Sequence, residues 1–120
     1  MKNVLIVAKT GQLRDGLHAL LETLPCVGLV SITDTFTSGL EYLSERCPAL
    51  VLLVADSHKQ DIKSIKKMVD ICPQMHFLAL VTNEEDRQTI AAWNVHATLL
   101  SGVTASELST TIEALLLGNC

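Results

Sequence analysis

Four polar side chains follow apolar runs of the sequence, at points where strands of a sheet would end. They are Lys9, Asp56, Thr82 and Ser101. A carboxylate in such a place could carry chemistry, and a lysine with two hydroxyls could hold an anion. Both kinds of chemistry need the four side chains to lie close together, so the elements that position them decide whether either is possible.

The apolar pattern predicts five strands and five helices in strict alternation. Short apolar runs, rich in Val, Ile and Leu, are typical of strands buried on both faces. Between them, apolar residues recur at helical spacing. The predicted strands cover residues 3–8, 27–32, 50–55, 76–81 and 96–100, and the predicted helices cover 10–24, 35–46, 60–72, 83–94 and 104–119.

Several residues are expected to begin these helices. Thr10 is a plausible cap of the first helix, and Asp34 is placed to cap the second. Asn83 is followed by three acids, which suits a helix N-terminus. Thr104 and Glu107 have the spacing of a capping box.

Alternating strands and helices predict a doubly wound α/β fold, with a parallel sheet covered on both faces. The length of 120 residues suits one domain spanning residues 1–120. In sheets of this kind, function collects at the carboxyl ends of the strands. The polar residues of the opening paragraph are therefore expected at one edge of the sheet.

Composition excludes several functions. The net charge is −4 and the nine Lys and Arg residues are scattered, which argues against direct contact with nucleic acid. DNA is expected only through an attached or partner DNA-binding domain. No apolar run is long enough to span a membrane, and the N-terminus lacks the pattern of a signal peptide, so a cytoplasmic location is expected.

Cysteine and histidine spacing predicts no metal site and no cofactor. The cysteines form no C-x-x-C pair and are interpreted as small apolar residues in a reducing compartment. The histidines have neither HxH nor HxxxH spacing, which argues against a metal site built from them. The residues concerned are Cys26, Cys47, Cys72, Cys120, His18, His58, His76 and His96.

Four segments carry a resemblance that covers essentially the whole chain. They read "VLIVAKTGQLRDGLHALLE", "CPALVLLVADS", "FLALVTN" and "ATLLSGVTASELSTTIEALLLGN". In order and spacing they resemble the receiver domain of bacterial response regulators, most closely receivers that precede a LuxR-type helix-turn-helix. The resemblance implies a flavodoxin-like (βα)5 fold with strand order 2-1-3-4-5.

The resemblance also implies where a phosphorylation site would lie. Receivers accept a phosphoryl group on an aspartate that ends the third strand, with magnesium held by acids after the first strand. A hydroxyl and a lysine after the fourth and fifth strands contact the phosphoryl oxygens, and an aromatic switch residue lies near the fifth strand. These positions fall on Ala8 and Lys9 (acid pair), Val54 (acceptor), Thr82 (hydroxyl), Ser101 (lysine) and Thr98 (aromatic).

Only Thr82 keeps the chemistry of its position, and we favour the interpretation that its hydroxyl satisfies backbone groups at a strand end. Val54 has no nucleophile. A lysine ammonium about 4 Å from a divalent ion is unfavourable by ~8 kcal/mol before relaxation. Asp56 would lie about 6–7 Å beyond Val54 in an extended chain. It is expected to be a solvated loop acid that can pair with Lys9, rather than the acceptor.

Two apolar residues are candidates for subunit contacts. Trp93 either packs in the core or is an exposed anchor on the face of the fourth helix, fifth strand and fifth helix. Leu115, Leu116 and Leu117 are consecutive and cannot all point inward, so Leu116 is a candidate contact. Thr98 belongs to the same expected surface.

The sequence therefore predicts a phosphorylation-independent receiver domain that is not an enzyme. It would act as a homodimerisation or interaction module in transcriptional regulation. Three alternatives stay open. Asp56 could be a phosphoacceptor, a small anion could bind near Lys9, Thr82 and Ser101, or the domain could be a structural module without a switch.

Overall fold

The computed structural model describes residues 2–55, 59–93 and 95–117, and the side chains of all but 59–61 and 117 among them. Strands and helices alternate along the chain as predicted. The strands are β1 (Lys2–Val7), β2 (Val27–Thr33), β3 (Leu50–Val54), β4 (Phe77–Val81) and β5 (Ala97–Leu100), and the helices are α1 (Gln12–Thr23), α2 (Phe36–Glu45), α3 (Lys59–Ile71), α4 (Glu84–Ala91) and α5 (Ala105–Leu117).

All five strands form one parallel sheet in the order β2-β1-β3-β4-β5. The predicted α/β fold class and its strand order are thus confirmed. The register is continuous across the centre: Ile6 pairs with Leu52, and Leu52 pairs with Leu78. Since the strands are parallel, their carboxyl ends lie together at one edge of the sheet, which we call the carboxyl edge, and their amino ends lie at the amino edge.

Each face of the sheet carries its own core because neighbouring strand residues point to opposite faces. On β1, Val4 and Ile6 pack beneath α1 and α5, whereas Leu5 and Val7 pack beneath α2, α3 and α4. All four side chains are buried, and burial of such a side chain stabilises the fold by roughly 1.5–3 kcal/mol. Burial on both faces explains why the central strands are apolar without alternation.

The predicted helix starts are confirmed at two helices and wrong at two. The Asp86 N–H donates to Asn83 Oδ1 (2.8 Å) before α4, and the Glu107 N–H donates to Thr104 Oγ1 (3.1 Å) before α5. Thr10 does not cap α1, because the chain turns one residue later and Gly11 is the cap, without a side chain to accept a bond.

Asp34 does not cap α2 either. Thr35 takes that position, and its Oγ1 accepts a hydrogen bond of 3.0 Å from the Ser38 N–H. Element boundaries otherwise differ from the sequence prediction by a few residues. The largest difference is at α4, which ends at Ala91 rather than at residue 94.

Two helical glycines differ in the space around them, and this gives a matched pair of substitutions. A Cβ at Gly39 of α2 would lie 2.9 Å from Val7 Cγ2 and 3.0 Å from Met68 Cε, whereas a Cβ at Gly16 of α1 meets nothing within 4 Å. Gly16→Ala should therefore raise the free energy of unfolding by about 0.5–1 kcal/mol through helix propensity.

Gly39→Ala gains the same propensity but overpacks the contact between α2 and β1, so we expect a net loss of about 1 kcal/mol. Urea unfolding of both variants measures the difference. Equal stabilisation by the two substitutions would contradict the close approach of α2 to β1.

Candidate functional site

Three of the predicted site residues come together at the carboxyl edge. Ala8 and Lys9 follow β1, and Val54 ends the neighbouring strand β3. The Ala8 N–H donates to the Thr33 carbonyl oxygen at 3.0 Å, which holds the chain after β1 against the end of β2. Ala8 is buried, Val54 is half-buried and Lys9 is exposed.

Ala8, Lys9 and Val54 line two adjoining cavities, which we call together the cleft. The first has a volume of about 240 Å³ and extends toward α2 and α3, where Asp34 and Ser64 line it. The second has a volume of about 300 Å³ and extends along residues 10–14 at the start of α1. Ala8, Lys9 and Val54 therefore line one cleft with two lobes, and the sequence did not predict the two lobes.

Arg14 is a cleft residue that sequence reasoning missed. Its Nη1 lies 3.2 Å from Asp34 Oδ1, and its side chain is largely buried while that of Asp34 is exposed. The pair joins α1 to the end of β2. An ion pair with one exposed partner contributes about 0–1 kcal/mol. Nothing local in the sequence marks this pair, since the two residues are 20 positions apart.

Thr82 and Ser101 do not line the cleft with Lys9. Thr82 is exposed directly after β4. The Ser101 N–H donates to the Val81 carbonyl oxygen at 2.8 Å, and Ser101 lines a separate cavity of about 230 Å³ between α1 and α5. Neither of the two cavities that form the cleft is lined by Thr82 or Ser101. Asp56, the alternative acceptor, lies outside the described residues.

Two predicted interaction residues are not on the expected surface. Leu116 is 2% exposed and packs in the core with α1, so the prediction of a surface contact there is wrong. Trp93 is half-buried against the core beneath α2–α4, with Lys66 Nζ 5.8 Å from its ring centroid. It thus faces α3 and packs partly against this core.

Thr98 lies half-buried on β5, and its hydroxyl has no hydrogen-bond partner among the described residues. None of the three residues predicted for the interaction surface of α4, β5 and α5 is exposed: Trp93 and Thr98 are half-buried and Leu116 is buried.

The described residues of the cleft do not fit the magnesium ion that receivers hold. Magnesium takes hard oxygen ligands, including one or two carboxylates. The only carboxylate among the described lining residues is that of Asp34, which is already paired with Arg14. Lys9, which lines both lobes, would repel the ion.

Two histidines that are 20 residues apart in the sequence are in contact in the structure. His76 Nδ1 and His96 Nε2 are 2.9 Å from each other at the amino edge, at the opposite end of the strands from the cleft. Burial, together with the nearby His76, lowers the pKa of His96 from its usual value.

Comparisons with solved structures place this geometry among known folds. A LuxR family DNA-binding response regulator from Silicibacter pomeroyi aligns with a TM-score of 0.83 at 18% identity, over 98% of this chain and 93% of that one. The isolated REC domain of RcsB from Salmonella enterica serovar Typhimurium gives the same TM-score and identity, over 98% and 89%. A CheY-like receiver domain from Methanospirillum hungatei gives 0.80 at 19% identity, over 97% and 94%.

The chain has the fold of a response-regulator receiver domain. No protein-family model and no curated protein sequence matches it. In the described part of the receiver fold, none of the helices has the length and apolar character needed to cross a membrane.

Proposed function

We propose that this chain is an atypical receiver domain that works without phosphorylation, as a dimerisation and interaction module in transcriptional regulation in the cytoplasm. The observation that carries the proposal is the composition of the cleft. Ala8, Lys9 and Val54 line it together, at the strand ends where the resemblance to receivers implies two acids and a phosphoacceptor.

The chemistry of these three side chains opposes phosphoryl transfer. Such transfer depends on positioning and on neutralising charge with a metal ion. Val54 offers no atom that can attack phosphorus, Ala8 offers no ligand, and the Lys9 ammonium adds repulsion toward a divalent cation. We therefore infer a domain whose interactions are set by its surface rather than by a modification at the end of β3.

The transcriptional role rests on the structural neighbours. One neighbour is a LuxR family DNA-binding response regulator, and another is RcsB bound to the promoter rprA. This chain spans 63% of the RcsB chain in that complex. Because this chain has a net charge of −4, we propose that DNA is contacted by an attached or partner domain and not by the receiver fold itself.

The surface between α1 and α5 is the dimerisation face that we favour. An apolar cavity there is lined by Leu13, Leu17, Leu20 and Leu108. Leu13 is 41% exposed although it belongs to the leucine pattern of α1. Contiguous apolar surface is a feature of protein contact sites, and Leu13 extends the apolar lining of this cavity to the surface.

A second candidate function is the binding of a small anion in the α1 lobe of the cleft. Lys9 and Arg14 both line this lobe, and the cap of α1 is Gly11, which has no side chain to accept a bond from the first N–H groups of the helix. Cations and free N–H groups at a helix start favour anions. A thermal-shift screen of anionic metabolites tests this. A stabilising compound should lose its effect in Lys9→Ala, and a screen without any stabilising compound would count against the site.

The main proposal predicts that the chain does not accept a phosphoryl group. Incubation with a small-molecule phosphodonor and Mg²⁺, followed by intact mass measurement, should leave the mass unchanged, while a typical receiver treated alongside gains one group. Addition to this chain that disappears in Asp56→Asn would establish the Asp56 alternative instead.

The proposed dimer face predicts a difference between two exposed leucines. Light scattering after size exclusion should show a dimer for the parent chain and a monomer for Leu13→Glu, because the charge would be buried in the contact. Leu29→Glu, on the edge strand β2, is the matched control and should stay dimeric. A parent chain that is monomeric at high concentration would overturn this part of the proposal.

A further inference from the structure

The amino edge of the sheet carries a pair of histidines whose backbones are fixed by the sheet. His76 directly precedes β4 and His96 directly precedes the neighbouring strand β5. The His76 carbonyl oxygen accepts a hydrogen bond of 2.9 Å from the Val51 N–H. The His96 N–H donates to the Phe77 carbonyl oxygen at 3.0 Å. Both side chains therefore start from positions that the strand register determines.

The two rings meet at an angle, nitrogen to nitrogen. Nδ1 of His76 is 2.9 Å from Nε2 of His96, the ring centroids are 4.3 Å apart, and the ring planes are inclined by 70°. In the neutral pair one nitrogen donates a proton to the other. Since two protonated rings would bring two N–H donors and two positive charges together, this arrangement requires at least one ring to be neutral.

The same spacing suits two ligands of one metal ion. Imidazole nitrogens bind transition metals at about 2.0–2.1 Å, so two of them at a right angle around the ion lie about 2.8–3.0 Å apart. A tetrahedral angle would require about 3.3 Å at the same bond length. The observed 2.9 Å fits the right angle, which is typical of Cu²⁺ and Ni²⁺ with nitrogen ligands.

We propose that His76 and His96 form a two-imidazole binding site for a divalent transition metal ion of the Cu²⁺ and Ni²⁺ class, with water completing the coordination. Binding replaces the hydrogen bond between the rings by two metal–nitrogen bonds. The proton between the rings moves, by exchange with water, to the other nitrogen of its own ring, so that both ligands are neutral imidazoles. The site is independent of the proposed function, since it lies at the opposite edge of the sheet from the cleft.

The exposure of the two rings is consistent with such a site. A metal ligand must be a neutral imidazole, and the hydrogen-bonded pair already requires at least one of its rings to be neutral. His96 is exposed and His76 is half-buried, so an ion can reach the pair from solvent. The described residues form no group of three or more His, Cys, Asp or Glu that could hold a metal, so the pair provides two protein ligands and the affinity is moderate.

Nickel titration of the whole chain tests the proposal, in a parent variant in which His18 and His58 are replaced by Gln. Calorimetry should find one Ni²⁺ site per chain, and Ni²⁺ should raise the melting temperature because it binds the folded state. His76→Gln or His96→Gln should each weaken binding by about tenfold or more. Binding of unchanged affinity in both variants, or none in the parent at millimolar Ni²⁺, would overturn the site.

A second measurement needs no substitution that could affect folding. Paramagnetic Ni²⁺ added to the unmodified chain should broaden the imidazole proton signals of His76 and His96 at lower concentration than those of His18. His18 is the internal control because its Nε2 contacts the Glu22 carboxylate at 3.1 Å on the exposed side of α1. Equal broadening of all three rings would show that the pair has no special affinity.

Discussion

Burial of the central strands on both faces is the constraint on which the rest of the molecule depends. The side chains from Leu50 to Leu53 and from Phe77 to Val81 are almost completely inaccessible to solvent. Parallel strands cannot be joined by a tight hairpin, so each needs a crossover helix, and these helices cover both faces. The strand ends are then the places where the buried strands reach solvent, which puts the cleft at the carboxyl edge and the histidine pair at the amino edge.

The cleft shows how far apolar character extends along the strands. Ala8 and Val54 continue the apolar runs of β1 and β3 to the edge of the sheet, and Ala8 is as buried as the strand itself. Carboxylates at these two positions would repel each other and would need a cation to offset the repulsion. Apolar residues need no such ion, so this edge is stable without a ligand. The fold supplies the place, while the side chains decide its chemistry.

Much of this architecture could be predicted from local patterns. The apolar runs and helical spacings predicted all ten elements. The proximity of Ala8 and Lys9 to Val54 could also be predicted, because the ends of neighbouring parallel strands lie at the same edge of the sheet. The caps Asn83 and Thr104 were predictable because a cap acts on an N–H three residues away.

What could not be predicted depends on packing between distant elements. The rotation of α5 against α1 decides which of its consecutive leucines is buried, and it buries Leu116. Trp93 packs against the core beneath α2, α3 and α4, and its contact with Lys66 of α3 joins residues 27 positions apart. Spacing alone also gave no reason to join two histidines 20 residues apart, because their contact needs both the adjacency of β4 and β5 and the register that pairs Leu78 with Ala97.

The strands β4 and β5, which carry the two histidines, differ in how deeply they are buried. β4 is buried along its whole length, whereas every residue of the edge strand β5 is only half-buried. A strand with less burial has less free energy holding it in place, so it is the part of the pair that opens more readily. A metal ion bound by His76 and His96 would therefore stabilise mainly β5, because it would connect this strand to β4 at the amino end. The cleft lies beyond β1 and β3 at the opposite edge of the sheet, where the packed core holds Ala8 and Val54 whether or not β5 is linked to β4.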